Sequence, residues 1–160
     1  MRLQGNVALV TGSSKGIGRG IAERFAREGA DVVINFNSDP AGAEEAVRAA
    51  QALGVRSVAI QADLGTVSGV RSLVAQAIAQ MGRIDVLVNN AGVEKHGPFW
   101  DVTESDYDKV MNVNLKGVFF TTQAFVEHLR REGRMGRIVN ISSVHEELPF
   151  RNFARYCGRK

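Results

Sequence analysis

The sequence holds one cysteine among its 160 residues, and Cys157 alone excludes an internal disulfide and any zinc site built from cysteines. Such a chain suits a reducing compartment, by default the cytoplasm, and no metal site is expected. It also lacks any run of about eighteen apolar residues that could cross a bilayer, and no long apolar stretch follows Met1-Arg2-Leu3-Gln4-Gly5-Asn6, so neither a membrane partner nor a signal peptide is expected. Charge of either sign is nearly balanced. Twenty Lys and Arg against seventeen Asp and Glu leave +3, too little and too scattered to argue for nucleic acid. The cluster Arg130-Arg131-Glu132-Gly133-Arg134-Met135-Gly136-Arg137 reads either as a phosphate or partner patch or, more simply, as the solvated end of a helix, where cations are favoured. Repeats and linkers are absent too, which leaves a single domain over 1–160. The remaining composition, 44% hydrophobic and 23% charged, is that of a globular chain able to bury a core.

The rest of the chain is organised around residues 7–35. Val7 to Val10 is a short apolar run that breaks into Thr11-Gly12-Ser13-Ser14-Lys15-Gly16-Ile17-Gly18, after which Ile17, Ile21 and Phe25 recur at helical spacing. Gly29 stops that helix and Val32-Val33-Ile34 supplies a second buried strand, giving a βαβ unit. A helix N-terminus entered through glycines favours phosphate, because its free N–H groups and dipole attract an anion and the backbone can approach without Cβ clashes. The spacing G-x-x-x-G-x-G is not the general G-x-G-x-x-G fingerprint, and taken alone it fits a plain glycine-rich turn equally.

Beyond this unit, Asp39-Pro40 reads as an N-cap with proline in the first turn, and Gly54 closes the helix that follows. Ser57 to Gln61 is a third strand. After the turn at Ala62-Asp63-Leu64-Gly65-Thr66, a helix with Val67, Val70, Val74, Ile78 and Met81 on one face ends at Gly82. Ile84 to Val88 is a fourth strand running into Asn89-Asn90-Ala91-Gly92, and Thr103-Glu104-Ser105-Asp106 resembles a capping box at the head of one long helical region over 104–131. Arg137 to Ile141 is a fifth strand, ending in Ser142-Ser143, and residues 152–160 read as the start of another helix. This alternation predicts an α/β doubly wound parallel sheet whose ligands lie beyond the carboxyl ends of its strands. Gly12, Asn37, Asp63, Asn90 and Ser143 each follow an apolar run, so five segments are expected to converge on one crevice.

Five motifs in this order, TGSSKGIG at 11–18, NNAG at 89–92, Asn114 within NVNLKG, Ser143, and Tyr156-x-x-x-Lys160, resemble the short-chain dehydrogenase/reductase family in its shorter branch. The resemblance spans the whole chain. It implies a Rossmann sheet in the order 3-2-1-4-5 with the family's C-terminal strands missing. It implies cofactor contacts from Gly12, Ser14, Lys15, Gly16, Ile17 and Gly18 in the loop, Asn37 and Ser38 after strand two, Asp63 and Leu64 after strand three, and Asn90, Ala91 and Gly92 after strand four. Catalysis falls by resemblance to Asn114, Ser143, Tyr156 and Lys160. Tyr156 is the general acid/base, Ser143 bonds the reacting oxygen, and Asn114 holds a water linking Lys160 to solvent. Four residues apart on a helix, Tyr156 and Lys160 share a face, and a nearby ammonium favours phenolate by about 1.4 kcal/mol for each unit that it lowers the phenol from about 10.

An acidic residue after strand two would hydrogen-bond the ribose hydroxyls of NAD, but the family's acidic position is Phe36 here, followed by Asn37 and Ser38. With Lys15 before the second loop glycine, the resemblance favours NADP(H), with NAD(H) also usable. Glu94 and His145 match positions lining the sugar site of the family's bacterial glucose 1-dehydrogenases, and would bind a small-molecule alcohol or carbonyl substrate together with Ser143 and Tyr156. The rival within the family is reduction of a 3-oxoacyl thioester on acyl carrier protein; the rival outside it is an inactive nucleotide-binding remnant. Family members are commonly tetramers, the state expected of a full-length form. The 160 residues stop where the catalytic helix begins, so the chain is expected to be truncated, to leave strand five as an exposed edge and, alone, to be a poor enzyme.

Overall fold

Apolar runs of four to six residues, each closed by a polar or glycine turn, are long enough to cross a sheet once and too short for helices. In the computed structural model, which describes residues 1–144, 147, 148 and 151, five such runs pair in parallel. They are β1 Val7–Val10, β2 Asp31–Phe36, β3 Ser57–Gln61, β4 Val86–Asn89 and β5 Arg137–Asn140, in the order β3-β2-β1-β4-β5. The expected doubly wound order is the one observed. Leu9 stands opposite both Val33 and Leu87, while Val33 faces Val58 and Leu87 faces Ile138, a continuous apolar row across the sheet.

Helices α1 Gly16–Arg27, α2 Pro40–Gln51, α3 Val67–Met81 and α5 Val118–Arg131 cover the sheet, and α4 Glu104–Met111 leads into α5. Alternation along the strands sends Val7 and Leu9 to a core shared with Leu73, Val74 and Phe125 of α3 and α5, and Ala8 and Val10 to one shared with α1 and α2. The second core is narrow. Apart from Gly18, the buried positions of α1 and α2 are all alanine: Ala22, Ala26, Ala43, Ala46 and Ala50.

Helix ends follow the expected chemistry. Asp39 Oδ1 accepts a hydrogen bond from Gly42 N (3.1 Å) with Pro40 as the first helical residue, Thr66 caps α3 through Gly69 N, and Thr103 caps α4 through Asp106 N. Gly82 ends α3 at φ 86°, a left-handed turn that an L side chain rarely adopts.

Boundaries differ from expectation at strands two, four and five and in the helix over 104–131; strand five ends at Asn140 and not Ile141. Strand two is longer than 32–34 because ladder pairing with β3 extends to Phe36. Strand four begins at Val86 and not Ile84, whose N–H is bound instead by His128 Nε2 (3.3 Å). The single helix expected over 104–131 is interrupted by a π-helical turn, Asn112–Gly117. Contact with the neighbouring loop accounts for that turn: a Cβ on Gly117 would stand 2.6 Å from Leu64 O, and the Asn114 side chain is drawn to the segment after β4. Among the described residues β5 lies at the sheet edge, as expected, with Ile138 40% and Val139 41% exposed. The helix expected from residue 152 lies outside the described residues. Among the described residues no helix is long and apolar enough to cross a membrane.

Candidate functional site

The site grows from the break in β1. Thr11 is 2% exposed; its hydroxyl donates to Val88 O and accepts from Asn90 N (2.9 Å) and Ala91 N (3.0 Å). The Asn90 amide returns the tie, donating to Thr11 O (2.9 Å) and Gly12 O (3.1 Å). These bonds press the loop after β4 against the glycine loop so closely that no side chain fits between them. A Cβ on Gly12, itself at φ 61°, would lie 2.9 Å from Ala91 Cα, and one on Gly18 would lie 2.4 Å from Asn90 Nδ2.

From the other side, Asn35 at the end of β2 holds the same loop. Its Oδ1 accepts from Gly12 N (3.1 Å) and its Nδ2 donates to Ile60 O (3.3 Å) and Ala62 O (3.4 Å), so one buried amide joins the ends of β1, β2 and β3. Ser13 completes the tie, donating to Val10 O (2.7 Å) and accepting from Asn35 N (3.2 Å). Asn35 was not singled out by sequence reasoning, and Thr11 was quoted only as the first residue of the glycine loop; the further signal was a polar residue closing an apolar run.

The ends of β1–β4 enclose a crevice of about 380 Å³. Of the expected cofactor residues, Gly12, Ser14, Lys15, Asn37, Ser38, Asp63, Leu64, Asn90, Ala91 and Gly92 line it. Gly16, Ile17 and Gly18 do not; they form the first turn of α1 behind the loop. Phe36, Asp39, Ala62, Val93 and Val113 complete the wall. Lys15 is exposed and makes no ion pair among the described residues. Arg19, one turn along α1, is tied to Glu23 and Glu45, whose hydrogen bonds raise its pKa above the ordinary arginine value. A larger cavity, about 460 Å³, lies in the groove between α3 and α5 and shares no residue with this crevice.

Asn114 is buried in the π-helical turn, and its side chain bonds Val93 through both its oxygen and its nitrogen. Oδ1 accepts from Val93 N (2.8 Å) and Nδ2 donates to Val93 O (2.7 Å), which fixes the chain leaving β4. Ser143 follows β5, whose pairing continues through Ile141 N to Asn89 O (2.9 Å), so Ser143 sits beyond the same carboxyl edge as Asn90. Glu94 is exposed, with Oε1 3.4 Å from His96 Nε2, and does not line the crevice. His145, Tyr156 and Lys160 lie outside the described residues.

A doubly wound sheet with a glycine-lined crevice over its switch point, where the strand order reverses between β1 and β4, is the architecture that binds dinucleotides. The chain belongs to the short chain dehydrogenase family, whose model matches residues 6–160. It is similar to an uncharacterized oxidoreductase of Methylorubrum extorquens, 45% identical over 159 residues, 99% of this chain and 63% of that protein. It is similar also to glucose 1-dehydrogenase 2 of Bacillus subtilis, 38% identical over 148 residues, 92% of this chain and 57% of that protein. A crystal structure of a short chain dehydrogenase from Burkholderia cenocepacia J2315 in complex with NADP matches with a TM-score of 0.93 and 39% identity, over 100% of this chain and 64% of that one. The chain therefore spans about three-fifths of the length of the relatives it matches.

Proposed function

We propose that these residues form the nucleotide-binding part of an NADP(H)-preferring oxidoreductase acting on an alcohol or carbonyl, with NAD(H) as a second cofactor. One observation carries the reading: Gly12, on the wall of a crevice formed by the ends of β1–β4, approaches Ala91 more closely than any Cβ allows, and behind it Gly18 packs as closely against Asn90. A dinucleotide fits the donor set. Lys15 and the free N–H groups at the head of α1 suit phosphate, Asn37 and Ser38 suit a ribose edge, and Asp63 and Leu64 suit the adenine. When bound, the nicotinamide supplies or accepts the hydride.

The chain's own residues position and move the proton. Ser143 would donate to the reacting oxygen, and Tyr156 would exchange the proton with it, its phenol made more acidic by Lys160. Asn114 would help hold a water linking Lys160 to solvent, the role that the family resemblance implies. With its side-chain amide bonded to both Val93 N and Val93 O, it would also position the chain between β4 and α4.

For the substrate we favour an aldose, on the likeness to glucose 1-dehydrogenase 2 of Bacillus subtilis and on the Glu94–His96 pair, which offers polar partners to hydroxyl groups. The test is a full-length form of the protein assayed with a sugar panel and with a 3-oxoacyl thioester. Sugar oxidation that falls as pH drops, and is lost in Tyr156→Phe, supports the reading; turnover of the thioester alone assigns the protein to the reductases instead.

A further inference from the structure

We propose that the groove between α3 and α5 is a second binding site, which takes an uncharged, largely apolar molecule through a single hydrogen-bond acceptor. The donor that this acceptor meets is His128. The residue is 7% exposed, and its Nε2 stands 3.3 Å from Ile84 N. A backbone N–H can only donate, so Nε2 accepts and the ring carries its proton on Nδ1.

Nδ1 has no partner among the described residues. The one side-chain polar atom there that is both sealed from the surface and unbonded is Ser57 Oγ, so Nδ1 is not sealed, and it opens on the cavity that His128 lines. A donor that is nine-tenths buried and unpaired is costly to leave so, and a ligand that bonds it gains accordingly.

The cavity, about 460 Å³, is of the size that holds small molecules. Val74, Ile78 and Ala124 give it an apolar wall. On the rim, Arg131 pairs with Glu127 (3.8 Å), while Arg71 and Glu132, of opposite sign, form no ion pair among the described residues, so the charges cancel. Ile78 and His128 stand near the C-terminal ends of α3 and α5, where the carbonyl ends of both helices disfavour an anion. A cation suits those carbonyls but has no lone pair to offer Nδ1. The remaining class is a neutral ketone, amide or ether on an apolar body. The groove shares no residue with the nucleotide crevice, so this site stands apart from the nucleotide reading.

The experiment follows the 160-residue chain by heteronuclear NMR during titration with N,N-dimethylbenzamide, benzoate and benzylammonium, three probes that share a phenyl ring and differ in charge. Before any probe is added, the His128 ring is expected to show its proton on Nδ1; a proton on Nε2 would overturn the proposal. The amide is expected to shift His128 Nδ1 and the backbone signals of Ile78 and Ala124, and to bind about tenfold more tightly than either ion. Ala75→Phe, a change at an exposed residue of the groove, is expected to abolish that binding while the melting temperature stays as in the wild type. No shift up to the limit of solubility, an ion bound as tightly as the amide, or binding that survives Ala75→Phe would each sink the proposal. So would shifts confined to Gly12 and Asn90, which would place the probe in the other crevice and leave the nucleotide reading intact.

Discussion

At the scale of single residues, the site depends on atoms that are missing and amides that are shared. Gly18→Ala places a methyl against Asn90 Nδ2 and Gly12 O, where backbone cannot yield. The expected outcome is destabilisation by about 1–3 kcal/mol and loss of nucleotide binding, read by chemical denaturation and titration calorimetry. Asn35→Ala leaves Gly12 N–H and the Ile60 and Ala62 carbonyls without their shared partner. A cost of about 2–3 kcal/mol is expected, with weaker nucleotide binding even though Asn35 does not line the crevice. If Asn35→Ala melts like the wild type, the buried amide is not the tie described here.

At the scale of elements, helix ends were legible in the sequence and the helix interior was not. Asp39-Pro40, Thr66 and Gly82 act through neighbours within four residues, so their pattern announces their structure. The π-helical turn depends on Gly117 meeting Leu64 O and on Asn114 reaching Val93, contacts between segments that the sequence keeps 53 and 21 residues apart, so periodicity over 104–131 could not reveal it. The hub residues Thr11 and Asn35 were hidden for the same reason, since what they bind belongs to other strands. Asn114→Ala is expected to accelerate hydrogen exchange at the Val93 amide, while exchange in β1 stays as in the wild type.

The end of α1 has a pH dependence of its own. Hydrogen bonds from the Arg2 side chain, the Arg2 backbone and Arg24 hold the Glu28 carboxyl down to about 2, from an ordinary value of 4.5. A carboxyl whose folded pKa is depressed stabilises fully above its unfolded pKa and loses that contribution as pH falls from about 4.5 to about 2. Acid titrations of the wild type and Glu28→Gln are therefore expected to converge across that window. Curves that stay parallel would show that the tie of the N-terminal segment to α1 contributes nothing.

At the scale of the whole molecule, the two ends of the sheet are held differently. At the amino end, Asp85 accepts from Val7 N (2.9 Å), Arg83 (2.9 Å) and Arg134 (2.7 Å), joining the approaches to β1, β4 and β5 through one buried carboxylate. Among the described residues the β5 edge is open, with Ile138 and Val139 part-exposed. An open, apolar strand edge invites pairing with another chain. The 160-residue chain is expected to self-associate with rising concentration in sedimentation velocity, and Val139→Lys to suppress that association without lowering the melting temperature.

The alanines under α1 and α2 have a consequence for how the sequence can drift. Where helices sit on a sheet across methyl groups, each added carbon has to be absorbed by backbone, so Ala22, Ala26, Ala43, Ala46 and Ala50 can be exchanged only for something equally small. The opposite face, built from Leu73, Val74, Ile84, Leu87 and Phe125, can trade volume among its members. A saturation-mutagenesis survey scored for folded yield would then divide the domain into a rigid half and a permissive half. The rigid half carries the glycine loop, so selection for nucleotide binding and selection for packing would constrain the same stretch of chain and leave variation to accumulate on α3 and α5.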